Sequence, residues 1–377
     1  MRSQIAYVLG TRPEIIKMSS LIAASQREGI GHSVIHTNQH YAESMDRVIF
    51  EQLDLPPAGI HLGVGSAPQG EQIGRMLCGL EPALAEMQPD IVVVQGDTNS
   101  ALAGALAASK LGIPVAHVEA GLRSGDRRMP EEINRILIDQ MADHLFCPTP
   151  LQAQILRDEG VSERRIHVTG NTVVDATLAY ATAARQRSDV LRRLGLPSNG
   201  YWLLTCHRRS NTEEQTHFER LMDVVCAMSW SAGMPLVFPM HPRLAAMGRS
   251  TLAGRPGLLA IEPVGYLDML ALLQGAALVM TDSGGVQEEA CILQRKCLLL
   301  RTSTERPETL ERGGAELPAS LSDGDLRTAL EKLLARAVAW SNPLGDGNAF
   351  RRILDILLAK RQEDTSSPRH RHHRTTH

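Results

Sequence analysis

The chain has 377 residues, of which 43% are hydrophobic and 21% are charged, and its formal net charge at pH 7 is −3. This length exceeds one ordinary core and suits two domains, and the composition is that of a globular protein. The small net charge provides no field that would draw the chain to nucleic acid or to an anionic membrane surface, so we expect neither as a partner.

The cysteines and the apolar segments indicate where the protein resides. The six cysteines are scattered without CxxC spacing, and most stand in apolar surroundings, as is typical of reduced, buried thiols. The apolar run at the N-terminus is too short for a signal peptide, and no segment approaches the roughly 20 apolar residues that span a bilayer. We therefore expect a cytoplasmic protein.

The first part of the chain alternates strand-like and helix-like segments, which predicts a parallel sheet with helices on both faces. The predicted strands are 4–9, 33–37, 91–94, 114–118, 144–147 and 166–168. The predicted helices are 15–27, 42–53, about 71–86, an alanine-rich segment after the third strand, 131–142 and 150–159. Ligands of such sheets bind beyond the carboxyl ends of the strands, so the turns at that edge are the functional candidates.

The first of these turns is Gly10-Thr-Arg-Pro-Glu14, which links the first strand to the first helix. Glycine permits a tight turn, and the free N–H groups of the helix start attract anions such as phosphate. Arg12 and Lys17 add positive charge there. Neither the GxGxxG dinucleotide fingerprint nor the GxxxxGK[ST] Walker loop is present, so this turn alone does not identify a ligand.

Acidic residues follow in three later turns. Asp97 comes after the third strand, Glu119 comes after the fourth, and Glu131 and Glu132 open the next helix. Carboxylates that converge at one sheet edge suggest proton-transfer chemistry. Taken singly, Asp97 and Glu131 are better explained as helix caps. Glu119 caps no evident helix and is the clearest candidate.

A domain boundary is predicted in the polar segment Thr169-Gly-Asn-Thr172, because strand–helix alternation restarts after it. The second set of strands is 201–205, 236–239, 258–261, 277–280 and 297–300, with helices from about 213, at 266–274 and at 285–293. The predicted units are an N-terminal domain (1–170), a C-terminal domain (171–346), a last helix (about 347–362) and a disordered tail (363–377). Two domains of similar size imply a crevice between them, a common place for ligands.

The clearest motif of the second domain is Thr281-Asp-Ser-Gly-Gly-Val-Gln-Glu-Glu289, where a strand runs into a helix. The consecutive glycines let a backbone approach an anion, and the helix start suits a nucleotide diphosphate. Glu288 and Glu289 lie in the first turn, where they either complement the helix dipole or, for one of them, bind a ribose diol.

Further cationic side chains follow other strands of this domain. Arg306 comes after the next strand, where a salt bridge to Glu305 or Glu308 is its alternative role. His207 and His241 each end a strand with an arginine nearby. A lone histidine is more often structural than catalytic, but two at equivalent strand ends favour an anionic ligand.

Together these residues resemble the non-hydrolysing UDP-N-acetylglucosamine 2-epimerase family over about residues 4–360. The matching segments, in the family's order, are GTRPEIIK, TNQHY, QGDTNS, HVEAGLRSGD, MPEEINR, TGNTVVDA, HRR, HPR, VGY, TDSGGVQEEA, TERPET and NPLGDG. The resemblance implies an α/β fold of two Rossmann-like domains with a deep interdomain cleft, the GT-B-like arrangement of one glycosyltransferase class. It also implies a terminal helix that crosses back to complete the first domain.

The resemblance implies an isomerase that interconverts UDP-N-acetylglucosamine and UDP-N-acetylmannosamine. UDP is expelled first, a base removes the C2 proton to give 2-acetamidoglucal, and UDP re-adds after protonation of the opposite face. It further implies a UDP-sugar as the partner, no metal, no cofactor and a homodimer. Two alternatives remain open, namely an epimerase of a modified sugar such as a UDP-2,3-diacetamido-uronic acid and a glycosyltransferase of the same fold.

Site residues are carried over from the family position by position. The resemblance implies that the catalytic set is Asp97, Glu119, Glu131 and His207. The positions that match nucleotide-sugar binding are Arg12, Lys17, Ser283, Gly284, Gly285, Glu289 and Arg306. Gln39, Arg209 and His241 resemble part of an allosteric site for a second UDP-N-acetylglucosamine, although Ala42 stands where the family often has another glutamine.

Three departures from the family pattern concern substrate preference rather than the acids. Ser210 stands where the family usually has glutamate, and Thr302 stands where it usually has aspartate. Gln294-Arg-Lys296 replaces a common Gly-x-Pro turn.

Overall fold

The computed structural model describes residues 4–39, 43–240, 244, 252 and 254–366. The strands of the first half are β1 (Gln4–Leu9), β2 (Gly31–His36), β3 (Ile60–His61), β4 (Ile91–Gln95), β5 (Val115–Val118), β6 (His144–Cys147) and β7 (Ile166–Val168). Within the described residues they form one seven-stranded sheet in the order β3-β2-β1-β4-β5-β6-β7. Every pairing is parallel, as the alternation predicts.

The helices of this half connect successive strands. They are α1 (Arg12–Arg27), α2 (Glu43–Gln52), α3 (Gln69–Met87), α4 (Asn99–Lys110), α5 (Pro130–Met141), α6 (Pro150–Asp158) and α7 (Thr172–Arg187). A 3₁₀ turn at Glu163–Arg165 precedes β7. Because parallel strands require crossover connections, these helices cover both faces of the sheet and leave its carboxyl edge to the turns.

The second half repeats this plan. Its strands are β8 (Trp202–Thr205), β9 (Leu236–Pro239), β10 (Leu258–Ile261), β11 (Leu278–Thr281), β12 (Cys297–Leu299) and β13 (Ala315–Glu316). In the part of the chain that is described they form a six-stranded parallel sheet in the order β10-β9-β8-β11-β12-β13. The helices are α8 (Val190–Arg193), α9 (Arg209–Thr212), α10 (Gln215–Ser231), α11 (Tyr266–Gly275), α12 (Gly284–Ile292), α13 (Glu308–Glu311), α14 (Asp323–Ala335) and α15 (Ala349–Ser366).

The elements absent from the sequence prediction are mostly short. The strands β3 and β13 have two residues each, and α13 has four. Segments this short carry no readable periodicity, and only their neighbours in the fold make them regular. Two longer helices were also missed. They are α7, with 16 residues after the predicted domain boundary, and α14, which carries buried leucines at helical spacing, at 326, 330 and 333.

An apolar core runs through both halves. One face of the first sheet packs on an apolar cluster that includes Tyr7 and Leu21, and the same cluster continues through Tyr266 and Leu270 of α11 to Ile353 of α15. All of these side chains are at most 2% exposed. The two domains therefore join through continuous packing on one side, which brings the carboxyl edges of the two sheets toward each other.

The chain passes between the domains twice, at adjacent places. The N–H of Asn171 donates to the carbonyl of Leu344 at 2.9 Å, and Nη1 of Arg352 donates to the carbonyl of Thr169 at 3.0 Å. The last helix, α15, returns to the first domain and packs on α1. It continues to Ser366, so residues 363–366 of the predicted tail are helical, and 367–377 lie outside the described residues.

None of the described helices combines the length and the apolar character needed to cross a membrane.

Candidate active site

Glu119 stands in the turn after β5, at the carboxyl edge of the first sheet. Its backbone adopts φ +73°, which is uncommon for a residue with a Cβ, and its N–H bonds to the carbonyl of Phe146 at 3.1 Å. Its side chain is buried, and Nζ of Lys17 lies 2.7 Å from each carboxylate oxygen. The side-chain amide of Gln95 donates to the same carboxylate. The turn therefore directs this acid inward rather than to a helix end.

Arg306 reaches this carboxylate from the second domain. Its Nη2 lies 3.4 Å from Oε1 of Glu119, its Nε lies 2.7 Å from Oε1 of Glu288, and its Nη1 lies 2.5 Å from Oε1 of Glu305. Lys17 lies 3.4 Å from Glu288. We call Lys17, Glu119, Glu288 and Arg306 the charge cluster, since each is less than 9% exposed and they join both domains.

The electrostatics of the charge cluster keep its two basic groups protonated. Burial alone would lower the pKa of Lys17 and of Arg306, because it disfavours their charged forms. The nearby carboxylates reverse this: Glu119 and Glu288 raise the pKa of Lys17, and Glu288 and Glu305 raise that of Arg306. The cluster therefore contains two protonated cations, each of them paired with carboxylates.

The glycine motif starts α12 beside this cluster. Ser283 is the N-cap, and its side-chain oxygen accepts the N–H of Val286 at 3.4 Å. A Cβ on Gly284 would lie only 2.6 Å from Nη1 of Arg306, so the absence of a side chain lets the guanidinium approach the helix start. The first N–H groups of a helix have no acceptor within it. With Gly285 next in line, this helix start and Arg306 form a concave site suited to phosphate.

Glu289 lies beside Arg12 and Tyr266, and the charges of Glu288 and Lys17 also act on it. Burial raises the pKa of Glu289 to about 7, while the neighbouring Tyr266 and the charge of Arg12 act in the opposite direction. Arg12 also extends from the first domain toward the second, with Nη1 at 3.5 Å from the carbonyl of Val264. Of the two glutamates in the motif, Glu288 joins the cluster and Glu289 faces the Arg12 side.

Asp97 is not a helix cap, so the simpler interpretation of its sequence position was wrong. The N-cap of α4 is Thr98, whose hydroxyl accepts the N–H of Ala101 at 3.1 Å. The Asp97 carboxylate instead lies 2.5 Å from Nη2 of Arg135, and its carbonyl accepts from Asn134 at 2.9 Å. The hydroxyl of Thr98, one residue later, takes the capping role expected of the acid, so the Asp97 carboxylate pairs with Arg135 at the edge of the sheet.

The two glutamates at the start of α5 differ in their surroundings. Glu132 is buried and accepts the N–H groups of Ser124 and Gly125 at 2.9 and 3.0 Å, so it fixes the preceding loop. Glu131 is exposed, and among the described residues its side chain makes no hydrogen bond or ion pair. No side-chain cap hydrogen bond forms at the N-terminus of α5, so the capping interpretation also fails for Glu131.

His207 lies at the carboxyl end of β8 and is exposed. The N–H groups of His207 and Arg208 donate to the buried carboxylate of Asp282 at 3.0 and 2.9 Å. The side-chain amide of Asn211 donates to the same oxygen at 3.0 Å. Asp282, two residues before Gly284, therefore ties the histidine turn to the glycine motif.

The proposed allosteric residues are only partly described. Oε1 of Gln39 accepts from the hydroxyl of Ser100 at 2.7 Å within the first domain. Arg209 is exposed at the first position of α9 in the second domain. His241 lies outside the described residues, so two of the three residues are described.

Sequence reasoning missed several residues of this site. Gln95 contacts Glu119, Asn171 contacts Glu288, and Arg135 contacts Asp97. Gln95 and Arg135 each stand inside a motif that the resemblance had matched, QGDTNS or MPEEINR, which was the available signal. Their partners are distant in sequence, so only the fold reveals what they hold.

Comparison with known proteins finds relatives over nearly the whole chain. The family model for UDP-N-acetylglucosamine 2-epimerase matches residues 23–358. A UDP-N-acetylglucosamine 2-epimerase of Methanocaldococcus jannaschii is 45% identical over 361 residues, which cover 94% of this chain and 98% of the relative. A UDP-2,3-diacetamido-2,3-dideoxy-D-glucuronate 2-epimerase of Pseudomonas aeruginosa is 37% identical over 358 residues, which cover 94% of this chain and 99% of the relative.

Solved structures show the same fold. The crystal structure of the M. jannaschii UDP-GlcNAc 2-epimerase in complex with UDP-GlcNAc and UDP superposes with a TM-score of 0.87 at 44% identity, covering 95% of this chain and 100% of that one. The wall teichoic acid polymerase TagF shares only the fold, with a TM-score of 0.55 at 14% identity.

The fold and the site thus define an enzyme built of two Rossmann-like domains in the GT-B-like arrangement. Within that class the chain belongs to the UDP-N-acetylglucosamine 2-epimerase family. The family and the fold class predicted from the sequence are both confirmed.

Proposed function

We propose that this protein interconverts UDP-N-acetylglucosamine and UDP-N-acetylmannosamine. The observation that carries the proposal is the position of Glu119, a buried carboxylate 2.7 Å from Lys17 and 3.4 Å from Arg306, where the two domains meet. A carboxylate among cations at the edge of two parallel sheets suits proton transfer next to a bound diphosphate. The relative of M. jannaschii named above supports the choice of sugar.

The reaction proceeds by elimination and re-addition. The C1–O bond to UDP breaks and its electron pair leaves with the diphosphate, while a carboxylate takes the C2 proton. The C2–H electron pair becomes the C1=C2 bond of 2-acetamidoglucal. In the return step an acid delivers a proton to the opposite face of C2, and UDP attacks C1. No other reactant is consumed, so the reaction needs neither an acceptor nor a redox cofactor.

The leaving diphosphate needs the largest electrostatic stabilisation. The start of α12, at Ser283, Gly284 and Gly285, offers N–H groups, and Arg306 supplies charge beside it. Preorganised donors of this kind stabilise developing negative charge more strongly than water does. A bound diphosphate would compete with Glu288 and Glu305 for Arg306, which would release the guanidinium from its present partners.

The proton-handling roles are proposed for Asp97, Glu119 and Glu131, with His207 at the facing edge. Asp97 and Glu119 stand at the ends of adjacent strands, β4 and β5, so one sugar ring can lie between them. Glu131 is exposed at the start of α5 and has room to turn toward a bound sugar. Arg12 and Glu289 form the remaining side of the nucleotide site, since Arg12 extends from the first domain toward the second.

The test is turnover in D2O. The purified chain is incubated with UDP-N-acetylglucosamine alone, and the product is analysed by NMR and mass spectrometry. We expect UDP-N-acetylmannosamine that carries deuterium at C2, formed without any acceptor. Epimerised product without deuterium would refute the elimination route, and turnover that depends on an added acceptor would identify a glycosyltransferase instead.

A second candidate is an epimerase of a UDP-2,3-diacetamido-uronic acid. The P. aeruginosa relative, which is named for that substrate, is 37% identical over 94% of this chain, and this favours the candidate. The segment Thr304-Glu-Arg-Pro-Glu308 resembles members that act on N-acetylglucosamine and argues against it. Comparing kcat/KM on the two nucleotides decides, and we expect the acetylglucosamine substrate to be preferred.

We also propose a cytoplasmic homodimer: the family resemblance implies the dimer, and the scattered cysteines favour the cytoplasm. Light scattering coupled to size-exclusion chromatography tests the dimer, and a mass of 41.2 kDa, that of one chain, would contradict it.

A further inference from the structure

A second buried ionic group lies behind the candidate acids, and the mechanism above does not use it. Asp139 of α5 and His117 of β5 are fully buried, with Nδ1 of the ring 2.7 Å from Oδ1 of the carboxylate. Nη1 of Arg123 lies 2.7 Å from the other carboxylate oxygen, Oδ2. We call Asp139, His117 and Arg123 the rear triad. Charges this well buried are costly unless they are fully paired, so the arrangement needs a reason.

The partners of His117 require a proton on both ring nitrogens. Nε2 lies 2.8 Å from the carbonyl oxygen of Gly96, which can only accept, so Nε2 must donate. On the other side, Oδ2 of Asp139 accepts from Arg123 and from the N–H of Gly121 at 3.1 Å, as an ionised carboxylate does. Nδ1 therefore donates to Oδ1, and the ring is an imidazolium.

The charge balance of the rear triad agrees with this. Burial alone would raise the pKa of Asp139, but the charges and hydrogen bonds of His117 and Arg123 lower it. Arg123 is held in turn by Glu159, with Nη2 at 2.6 Å from Oε2. Every charge of the group therefore has an opposite partner.

Two bonds of the rear triad, and the helix that carries Asp139, lead to the candidate acids. The Gly96 carbonyl that His117 binds belongs to the residue directly before Asp97. The Gly121 N–H that Asp139 binds lies two residues after Glu119, in the same turn. Asp139 itself lies on α5, about two turns after Glu131 at the start of that helix. One carboxylate thus connects the three backbone segments that carry the acids.

We propose that Asp139 is a positioning residue of the epimerase, acting through a doubly protonated His117 and through the turn at Gly121. It holds Asp97, Glu119 and Glu131 at fixed positions relative to one another, so that a proton can be removed from one face of the sugar carbon C2 and delivered to the other. The positioning role rests on the proposed function, because that function supplies the reaction. The two protons on the His117 ring are inferred from the geometry alone. Displacing a reacting group by 1 Å can cost about a hundredfold in rate.

The first test uses the unaltered, ligand-free protein. Histidine labelled with ¹⁵N is incorporated, and the signal of His117 is assigned by comparison with the His117→Gln variant. We expect a ring with protons on both nitrogens at neutral pH. A ring that carries a single proton would overturn the proposal, whether or not the Asp139 variant folds.

The second test compares Asp139→Asn with Asp143→Asn. Asp143 is the control, because it lies two residues after α5 and its carboxylate accepts the N–H of Val115 in β5 at 2.9 Å, at the strand end away from the site. It is exposed, whereas Asp139 is buried. We expect Asp139→Asn to lower kcat by about 10- to 100-fold, with KM changed by less than about threefold, and the His117 ring to lose one proton. Asp143→Asn should keep kcat within about twofold of the unaltered chain.

Separate results would contradict the assignment and the proposed function. A folded Asp139→Asn variant with unchanged kcat would overturn the positioning role, as would an equal loss in Asp143→Asn. If the unaltered chain fails on UDP-N-acetylglucosamine but turns over the diacetamido-uronic acid nucleotide, the preferred substrate is refuted. The same kcat comparison on that nucleotide then still tests Asp139.

Discussion

Nζ of Lys17 lies 2.7 Å from both carboxylate oxygens of Glu119, with the lysine side chain 10% exposed and the glutamate side chain 4% exposed. The two residues are 102 positions apart in the chain, and the pairing joins the first helix to the turn after β5. Because water is nearly excluded, each charge depends on its partner rather than on solvent. This dependence makes the pair testable separately from catalysis.

We predict that Lys17→Met destabilises the folded protein by about 3 kcal/mol or more, because it removes one of the two buried cations that contact Glu119 and Glu288 and leaves only Arg306 there. The double variant Lys17→Met/Glu119→Gln should recover a large part of that loss while remaining inactive. Urea unfolding of the two single variants and the double variant provides the measurement. Additive losses, without recovery in the double variant, would contradict the coupling.

Asp97→Asn should abolish most turnover while UDP still binds. The carboxylate lies at the sheet edge and the substitution preserves its shape, so the lost function is proton transfer, which typically contributes 10²- to 10⁴-fold. Deuterium incorporation at C2 and isothermal titration with UDP measure the two properties. Asp126→Asn is the control, since Asp126 lies in the neighbouring loop and pairs with the exposed Arg128. Equal losses in both variants would indicate a general effect on the loops.

Arg306→Lys should weaken UDP binding by about 10-fold or more. The guanidinium fork reaches three carboxylates from one position and lies against the start of α12, and a single ammonium cannot reproduce that geometry. Titration calorimetry with UDP measures the change. Arg312→Lys is the matched exposed control at the end of α13, and its affinity should equal that of the unaltered chain. An unchanged affinity in Arg306→Lys would remove this residue from the diphosphate site.

The buried carboxyl of Glu14 should make the free energy of unfolding depend on pH. Burial raises the pKa of Glu14 from 4.5 to about 7, although Thr98, Thr11 and the Gly10 N–H donate to it. Between these pH values the folded protein retains a proton that the unfolded chain releases, so this group lowers stability as pH rises from about 4.5 to 7 and has a constant effect above that. The loss should reach up to about 3 kcal/mol.

Glu14→Gln should remove that contribution, since the amide oxygen can accept from the Gly10 side and its NH₂ can donate to the hydroxyl of Thr98. The difference in unfolding free energy between pH 5 and pH 8 should therefore shrink in the variant. Glu71→Gln, at an exposed position, should follow the unaltered protein at both pH values. Glu289 contributes in the same direction, so a remaining slope is expected, but an unchanged slope would contradict the assignment to Glu14.

Local patterns in the sequence predicted much of the fold and part of the site. Strands such as 91–94 are buried on both faces of the parallel sheet and are therefore continuously apolar. Such a run predicts a buried strand without any knowledge of the strands beside it. The glycines at 284 and 285 likewise predict a helix start that a ligand can approach closely. Capping was misjudged at Asp97, because Thr98 competes for the same role and only the observed backbone decides between neighbours.

The sequence by itself determined the alternation of strands and helices, the carboxyl-edge turns and the family, because these depend on neighbours in the chain. Only the tertiary structure decided which charges meet. It paired Lys17 with Glu119, assigned Glu288 rather than Glu289 to Arg306, and brought His117, Gly96 and Asp139 together. Such contacts join segments from different strands, and their energy depends on distance and burial, which no spacing along the chain specifies.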